Sequence, residues 1–233
     1  MSEHYFVSDA HLGAAPPESE ARLLRFLETL HGRADSLYIV GDLFDFWFEY
    51  GRAIPKHGFR VLAELARLKK EGTRIVYVAG NHDFRFRDFF GRELGIETAE
   101  SVSHVVDGLR VWVGHGDDID QRFMSRLFRR LMRSRLNNFL YSFVHPDIGI
   151  GFANWVARQS RARGPDDQLR GRMARVAEAR LAEGYDLVVM GHLHVPERRE
   201  LDNGLYLNTG DWLTHFSYGV LRDGTVALER HTE

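Results

Sequence analysis

Residues 36–47 read SLYIVGDLFDFW, and the reading of the fold starts from them. Leu37, Tyr38, Ile39 and Val40 make a short β-rich apolar run of the length of a buried strand, and Gly41 ends it. Asp42 stands just past the carboxyl end of that strand, where open α/β sheets gather their ligands. Alone, such a carboxylate caps a helix or forms an ion pair as readily as it binds a metal. Four other stretches repeat the pattern of an apolar run, a small residue and then His, Asp or Asn. Residues 5–8 lead to Asp9 and His11, residues 75–79 to Gly80, Asn81, His82 and Asp83, residues 111–113 to Gly114, His115 and Asp117, and residues 187–190 to Gly191, His192 and His194. Five strand ends with hard oxygen and imidazole donors point to a site for two metal ions, with Asp42 the natural bridge between them.

Composition sets the outer limits. A chain of 233 residues buries one sizeable core, so one domain with an insertion is expected rather than two equal domains. The 44% hydrophobic content, with sixteen Phe and four Trp, argues against a disordered chain. The absence of Cys excludes disulfides and thiolate metal sites. With the first strand beginning by Tyr5, no signal peptide is expected, and no apolar run is long enough to span a bilayer. The expected location is cytoplasmic. Formal net charge is −2, but unevenly spread: residues 118–163 hold nine Arg against three Asp, a net of +6, which leaves −8 for the remainder.

Asp9 and His11 leave the first strand two residues apart, a spacing that turns both side chains the same way in extended backbone. Residues 18–30 carry apolar positions at helical spacing and read as a packing helix. Beyond Asp42, the aromatics Phe44, Phe46, Trp47, Phe48 and Tyr50 read as a core wedge beside the site or as an apolar floor under a substrate. Asp45 is placed to orient a ligating histidine. The amide oxygen of Asn81 suits a hard cation, and His82, next to it, is placed to protonate a leaving oxygen. Asp83 is expected to orient His82. Helices are expected over residues 55–71 and 85–94, and a hairpin over residues 101–113 turns at Asp107-Gly108. Residues 205–208, 217–221 and 225–230 read as antiparallel strands completing a second sheet.

The ordered set Asp9-x-His11, Gly41-Asp42-x-x-Asp45, Gly80-Asn81-His82-Asp83, Gly114-His115 and Gly191-His192-x-His194 resembles the full motif set of the calcineurin-like metallophosphoesterases. That resemblance implies an α/β sandwich of two mixed β-sheets flanked by helices. It implies one ion on Asp9, His11, Asp42 and His194 and another on Asp42, Asn81, His115 and His192. Two such cations neutralise phosphate oxygens and acidify water. Oxygen and nitrogen donors without thiolate put Mn²⁺ first, with Fe, Zn²⁺ or Mg²⁺ compatible. Within the superfamily, Gly-Asp-Leu-Phe-Asp-x-Trp at 41–47, Asn-His-Asp-Phe at 81–84 and His-Gly-Asp at 115–117 are similar to the UDP-2,3-diacylglucosamine hydrolases of lipid A biosynthesis. The best-known branch of that group has Arg where this chain has His82, and a Ser/Lys-rich cap segment where this chain has residues 157–161, ARQSR.

Between Asp117 and Gly191 lie 73 residues, where a crossover helix and a strand need roughly 25–30. Residues 120–164 are therefore an insertion, a helical cap on a core formed by residues 1–119 and 165–233. It opens on a basic amphipathic pattern of the kind that binds anionic membranes or partner helices. Leu127, Leu131, Phe139 and Phe143 are the expected acyl contacts, and Arg158 and Arg161 the expected phosphate contacts. The resulting expectation is a hydrolase peripheral to the inner membrane. It would take a lipid-linked sugar nucleotide, not nucleic acid, and cleave the diphosphate to UMP and 2,3-diacylglucosamine 1-phosphate. A soluble metallophosphodiesterase or nuclease is the alternative, and a non-catalytic scaffold on the same fold ranks third.

Overall fold

Every residue of the run Ser36–Val40 is buried, because the strand it forms lies inside a sheet covered on both faces. The computed structural model describes residues 2–119, 130, 134–149, 151 and 167–232. In chain order these form β1 (Glu3–Val7), α1 (Pro17–Thr29), β2 (Ser36–Val40), β3 (Trp47–Phe48), α2 (Phe59–Lys70), β4 (Arg74–Val78), β5 (Asp83–Arg85), β6 (Glu97–Ala99), β7 (Ser101–Val106) and β8 (Leu109–Gly114). There follow α3 (Arg135–Tyr141), α4 (Asp167–Ala182), β9 (Leu187–Met190), β10 (Glu197–Leu201), β11 (Gly204–Asn208), β12 (Ser217–Arg222) and β13 (Thr225–Arg230).

Two mixed sheets result, in the orders β13-β12-β1-β2-β4-β6 and β10-β11-β9-β8-β7, with β3 and β5 pairing beside them. Strands β1, β2, β4 and β6 run parallel, which requires crossovers, and α1 and α2 supply two of them. Alternation along β1 sends Tyr5 and Val7 to one face and Phe6 to the other. Tyr5 and Val7 meet Leu23, Phe26 and Leu27 of α1 and belong to the same core as Leu62 and Leu65 of α2. Phe6, with Val40 and Val78, meets Val113, Val189 and Leu207 of the second sheet. Helix α4 covers the far side, setting Met173, Ala177 and Leu181 on Val188, Met190 and Tyr206. The four layers put the carboxyl ends of β1, β2, β4, β8 and β9 at one edge of the sandwich.

Two expectations need correction. Residues 85–94 form no α-helix: Asp83–Arg85 pairs with Trp47–Phe48, and only a short π-helical segment, Phe89–Glu93, follows. Pairing with β3 keeps residue 85 in extended backbone, and the buried carboxylate of Glu49 accepts the backbone N–H groups of Arg87, Asp88 and Phe89 at 2.6, 3.0 and 3.2 Å, capping the short segment that follows. The carboxyl-terminal strands divide between the sheets. Only β11 joins the second, parallel to β9, while β12 and β13 extend the first beside β1. The expected 101–113 hairpin does form, with Asp107 and Gly108 both at positive φ as its tight turn requires.

Candidate metal centre

Of the eight non-glycine residues with positive φ among those described, five are Asp9, His11, Asp42, His192 and His194. Left-handed backbone at an L-residue costs on the order of 1 kcal/mol or more and persists where the surroundings over-determine it. Here the strand-end turns are stitched together: Asp9 N–H donates to Gly41 O at 3.1 Å and His11 N–H to Asp42 O at 3.1 Å. Carboxylates complete the stitching, since His192 N–H donates to Asp9 Oδ2 at 2.9 Å and His82 N–H to Asp42 Oδ1 at 2.8 Å.

Three of the glycines that precede ligands have a steric reason. A Cβ on Gly80 would stand 2.1 Å from Asp42 Oδ1, and one on Gly41 2.3 Å from His115 Nδ1. One on Gly191 would stand 2.7 Å from Asp9 Oδ2. The ligand side chains occupy the space a side chain would take. Gly80→Ala should therefore displace the Asp42 carboxylate and lower bound metal while the sheets persist. Metal analysis of the purified variant checks this, and full occupancy would contradict the packing argument.

The donors form overlapping clusters. Asp9, His11 and His194 make one and Asp42, His115 and His192 another, while His11, Asp42 and His82 lie between them. His194 Nε2 is 3.4 Å from Asp9 Oδ1 and His115 Nε2 is 3.3 Å from Asp42 Oδ2, with His11 Nε2 4.0 Å from the same Asp42 oxygen. Asp9 Oδ1, Asn81 Oδ1 and His115 Nε2 are buried without a hydrogen-bond partner, a costly state for polar atoms unless a ligand completes them. Burial would push the Asp9 carboxyl up, but the imidazoles of His194, His11 and His115 outweigh it and hold it at about 2. His11 is pulled down by burial yet lifted to about 9 by Asp45, Asp9 and Asp42. His115 is likewise lifted well above its ordinary value, against burial, chiefly by Asp42. His192 goes the other way, to about 4, through burial and the neighbouring His115. The pocket thus draws positive charge to its centre, and divalent cations are the natural replacement for those protons. The donor set fits metal ions: Asp9, His11 and His194 toward one, Asn81, His115 and His192 toward the other, and Asp42 between.

Neighbouring groups fix the imidazole orientations. His115 Nδ1 lies 2.8 Å from the Val40 carbonyl, which keeps its proton there and turns Nε2 inward. Asp45 faces His11 as expected, its Oδ1 3.4 Å from Nδ1. His82, buried and lowered in pKa by that burial, sets Nδ1 2.6 Å from the Asp45 carbonyl and Nε2 3.9 Å from Asp42 Oδ2. Asp83 differs from its expected role. Its carboxylate accepts Gly80 N–H at 2.9 Å, Asp42 N–H at 3.0 Å and the Tyr77 hydroxyl at 2.7 Å, so it anchors the turn instead of the His82 ring. Burial and the charge of Asp42 raise it to about 7. Asp211, absent from the sequence reading, lies buried with Oδ2 3.5 Å from His194 Nδ1. Its signal is a second Gly-Asp pair, Gly210-Asp211, which follows the apolar run 205–207 after Asn208 and Thr209, where Gly41-Asp42 follows its run directly.

Of the expected cap residues, Leu127, Leu131, Arg158 and Arg161 lie outside the described residues. Phe139 and Phe143 are exposed, on and just after α3. That helix rests beside the site: the Tyr141 ring packs 4.8 Å from Phe48 and 5.9 Å from Phe46, and Arg85 Nη1 donates to Asn138 O at 3.1 Å. The aromatics after Asp42 divide accordingly. Trp47 and Phe44 enter the main core, while Phe46, Phe48 and Tyr50 form a satellite cluster under Tyr141.

Comparison with known proteins gives this geometry its family. A family model described as calcineurin-like phosphoesterase matches residues 5–196, a span that includes every ligand position above. A curated UDP-2,3-diacylglucosamine hydrolase of Porphyromonas gingivalis is 33% identical over 256 residues, covering 98% of this chain and 97% of the relative. One from Neisseria meningitidis serogroup B is 31% identical over 237 residues with the same coverage. Among solved structures, an archaeal phosphodiesterase superposes with a TM-score of 0.52 at 15% identity, covering 97% of this chain and 98% of its own. Vacuolar protein sorting 29 from Cryptosporidium parvum does so with a TM-score of 0.51 at 13% identity, covering 98% and 95%. These two show a shared fold. The match over all five ligand-bearing strand ends decides membership: this chain belongs to the calcineurin-like phosphoesterase family.

Proposed function

We propose that the chain hydrolyses the diphosphate of UDP-2,3-diacylglucosamine, giving UMP and 2,3-diacylglucosamine 1-phosphate, at the cytoplasmic surface of the inner membrane. The observation that carries this reading is the near full-length match to relatives of that name, which spans both the ligand-bearing strands and residues 120–164. No helix among the described residues is long and apolar enough to cross a membrane, which is compatible with peripheral attachment. Mn²⁺ is the proposed metal because the donors are carboxylate, amide oxygen and imidazole. When bound, the pair of cations supplies charge neutralisation at the phosphate and lowers the pKa of the attacking water.

The protein's own groups do the rest. Asp42 holds the two donor clusters in register. His82, its Nδ1 kept protonated by the Asp45 carbonyl, offers Nε2 as the nitrogen that carries a proton toward the departing oxygen. An arriving phosphate puts negative charge beside that ring and favours its imidazolium form. Residues 120–164 act as the cap, with Leu127, Leu131, Phe139 and Phe143 receiving acyl chains and Arg158 and Arg161 the diphosphate.

Shortening the acyl chains tests the reading. Each buried CH₂ contributes about 0.8 kcal/mol, so removing four carbons should weaken apparent affinity by roughly two orders of magnitude. Turnover of UDP-2,3-diacylglucosamine, its deacylated analogue and an aryl phosphodiester should fall in that order. Equal turnover of the deacylated sugar nucleotide would replace this reading with a soluble phosphodiesterase.

A further inference from the structure

We propose that Asp211 is a positioning residue for His194: its carboxylate keeps the imidazole proton on Nδ1, so that Nε2 faces the cation held with Asp9 and His11. The inference rests on the metal-dependent reading above and deepens it.

The turn it closes holds the carboxylate in place. Oδ1 accepts the backbone N–H groups of Leu213, Thr214 and His215 at 3.3, 2.9 and 2.8 Å, and Oδ2 accepts the Thr214 hydroxyl at 3.1 Å. His215 Nδ1 also stands 3.3 Å from Oδ1. The remaining direction of Oδ2 is toward His194 Nδ1, 3.5 Å away. On the opposite side of the ring, Nε2 lies 3.4 Å from Asp9 Oδ1 and 3.4 Å from His11 Nε2. The imidazole thus spans from Asp211 to the donor cluster.

The segment that carries Asp211 is tied to the loops that carry the ligands. Trp212 N–H donates to Asp9 O at 3.2 Å, and Asn208 Nδ2 donates to Gly191 O at 2.7 Å. Ser8 Oγ lies 2.7 Å from Thr209 Oγ1. Asp211 therefore holds a fixed position relative to both. The need is local: His11 and His115 are buried with Nδ1 facing Asp45 and Val40 O, whereas the His194 side chain is 32% exposed. An exposed ligand loses the most orientation when its outer partner is removed.

Asp211→Asn separates this role from simple turn closure. The amide keeps one oxygen for the three backbone donors but turns an NH₂ toward Nδ1, where it repels the N–H. The metal-stripped protein is titrated with Mn²⁺ by calorimetry, with no substrate present, so the outcome does not depend on the proposed reaction. Asp211→Asn should melt near the parent in the metal-free state while one of the two Mn²⁺ sites loses about 10–100-fold in affinity. In a His194→Gln background the same change should cost no further affinity. Thr214→Val, which keeps the carboxylate, should bind like the parent. Parental affinity in Asp211→Asn, an undiminished additional loss in the His194→Gln background, or an equal loss in Thr214→Val would overturn the inference. A parent that takes up no Mn²⁺ would remove the metal reading and this role with it.

Discussion

Replacing Asp42 should abolish hydrolysis and strip bound metal from a chain that remains folded. Asp42 is the only residue shared by the central and the His115-containing donor clusters among those described, and its Oδ2 faces the Nε2 atoms of His11, His82 and His115. Losing a charge term worth several kcal/mol corresponds to roughly 10³-fold or more in rate. The choice of substitution matters. Asp42 sits at φ 52, a region Asn tolerates and Ala does not, and its Oδ1 accepts the His82 backbone N–H. Asp42→Asn keeps that acceptor and the backbone, so it isolates the loss of charge. Asp42→Ala adds an unsatisfied buried donor, about 1–3 kcal/mol, still small beside typical domain stability. Near-parental turnover with full metal content in either variant would refute the bridging assignment.

His82→Ala should slow turnover by about 10²–10⁴-fold without changing metal content, the usual contribution of a positioned general acid. For the diphosphate the loss belongs at the low end, because the departing sugar phosphate is itself acidic, with a second pKa near ~6. A series of phosphodiesters with graded leaving groups makes the role measurable. The loss should grow as the leaving oxygen becomes more basic and shrink toward nothing for the most acidic phenol. A constant loss across the series would leave His82 as a binding group. The ring is poised for the task by the Asp45 carbonyl, not by Asp83, so Asp83→Asn should act through the Gly80 turn and the Asp42 backbone instead of the leaving-group dependence.

The parts of the fold legible in the sequence were those encoded locally. An apolar run ending in a small residue and a polar donor marks a strand end whatever surrounds it, and five such ends mark the candidate site without reference to sheet order. Asp45 was legible because it lies three residues from Asp42. Asp83 was misread because a turn's hydrogen bonds depend on which backbone N–H groups point inward, and sequence neighbours do not reveal that. The 85–94 segment reads as helical because its apolar spacing allows it, while the strand that claims its first residue, Trp47–Phe48, and the carboxylate that caps the rest, Glu49, lie more than 30 residues away along the chain. Asp211 was missed for the same reason in reverse: its partner His194 lies on a different loop, and only the crossing of residues 209–216 from the second sheet to the first brings them together. Sheet membership of β12 followed from pairing with β1, more than 200 residues earlier, a contact with no local signature.

The most direct test of the account is the dependence of activity on metal equivalents. Protein stripped by chelation should be inactive on UDP-2,3-diacylglucosamine, and Mn²⁺ should restore release of UMP as two equivalents per chain are bound. Full activity in the stripped protein, or restoration complete with a single equivalent, would contradict a two-ion site bridged by Asp42.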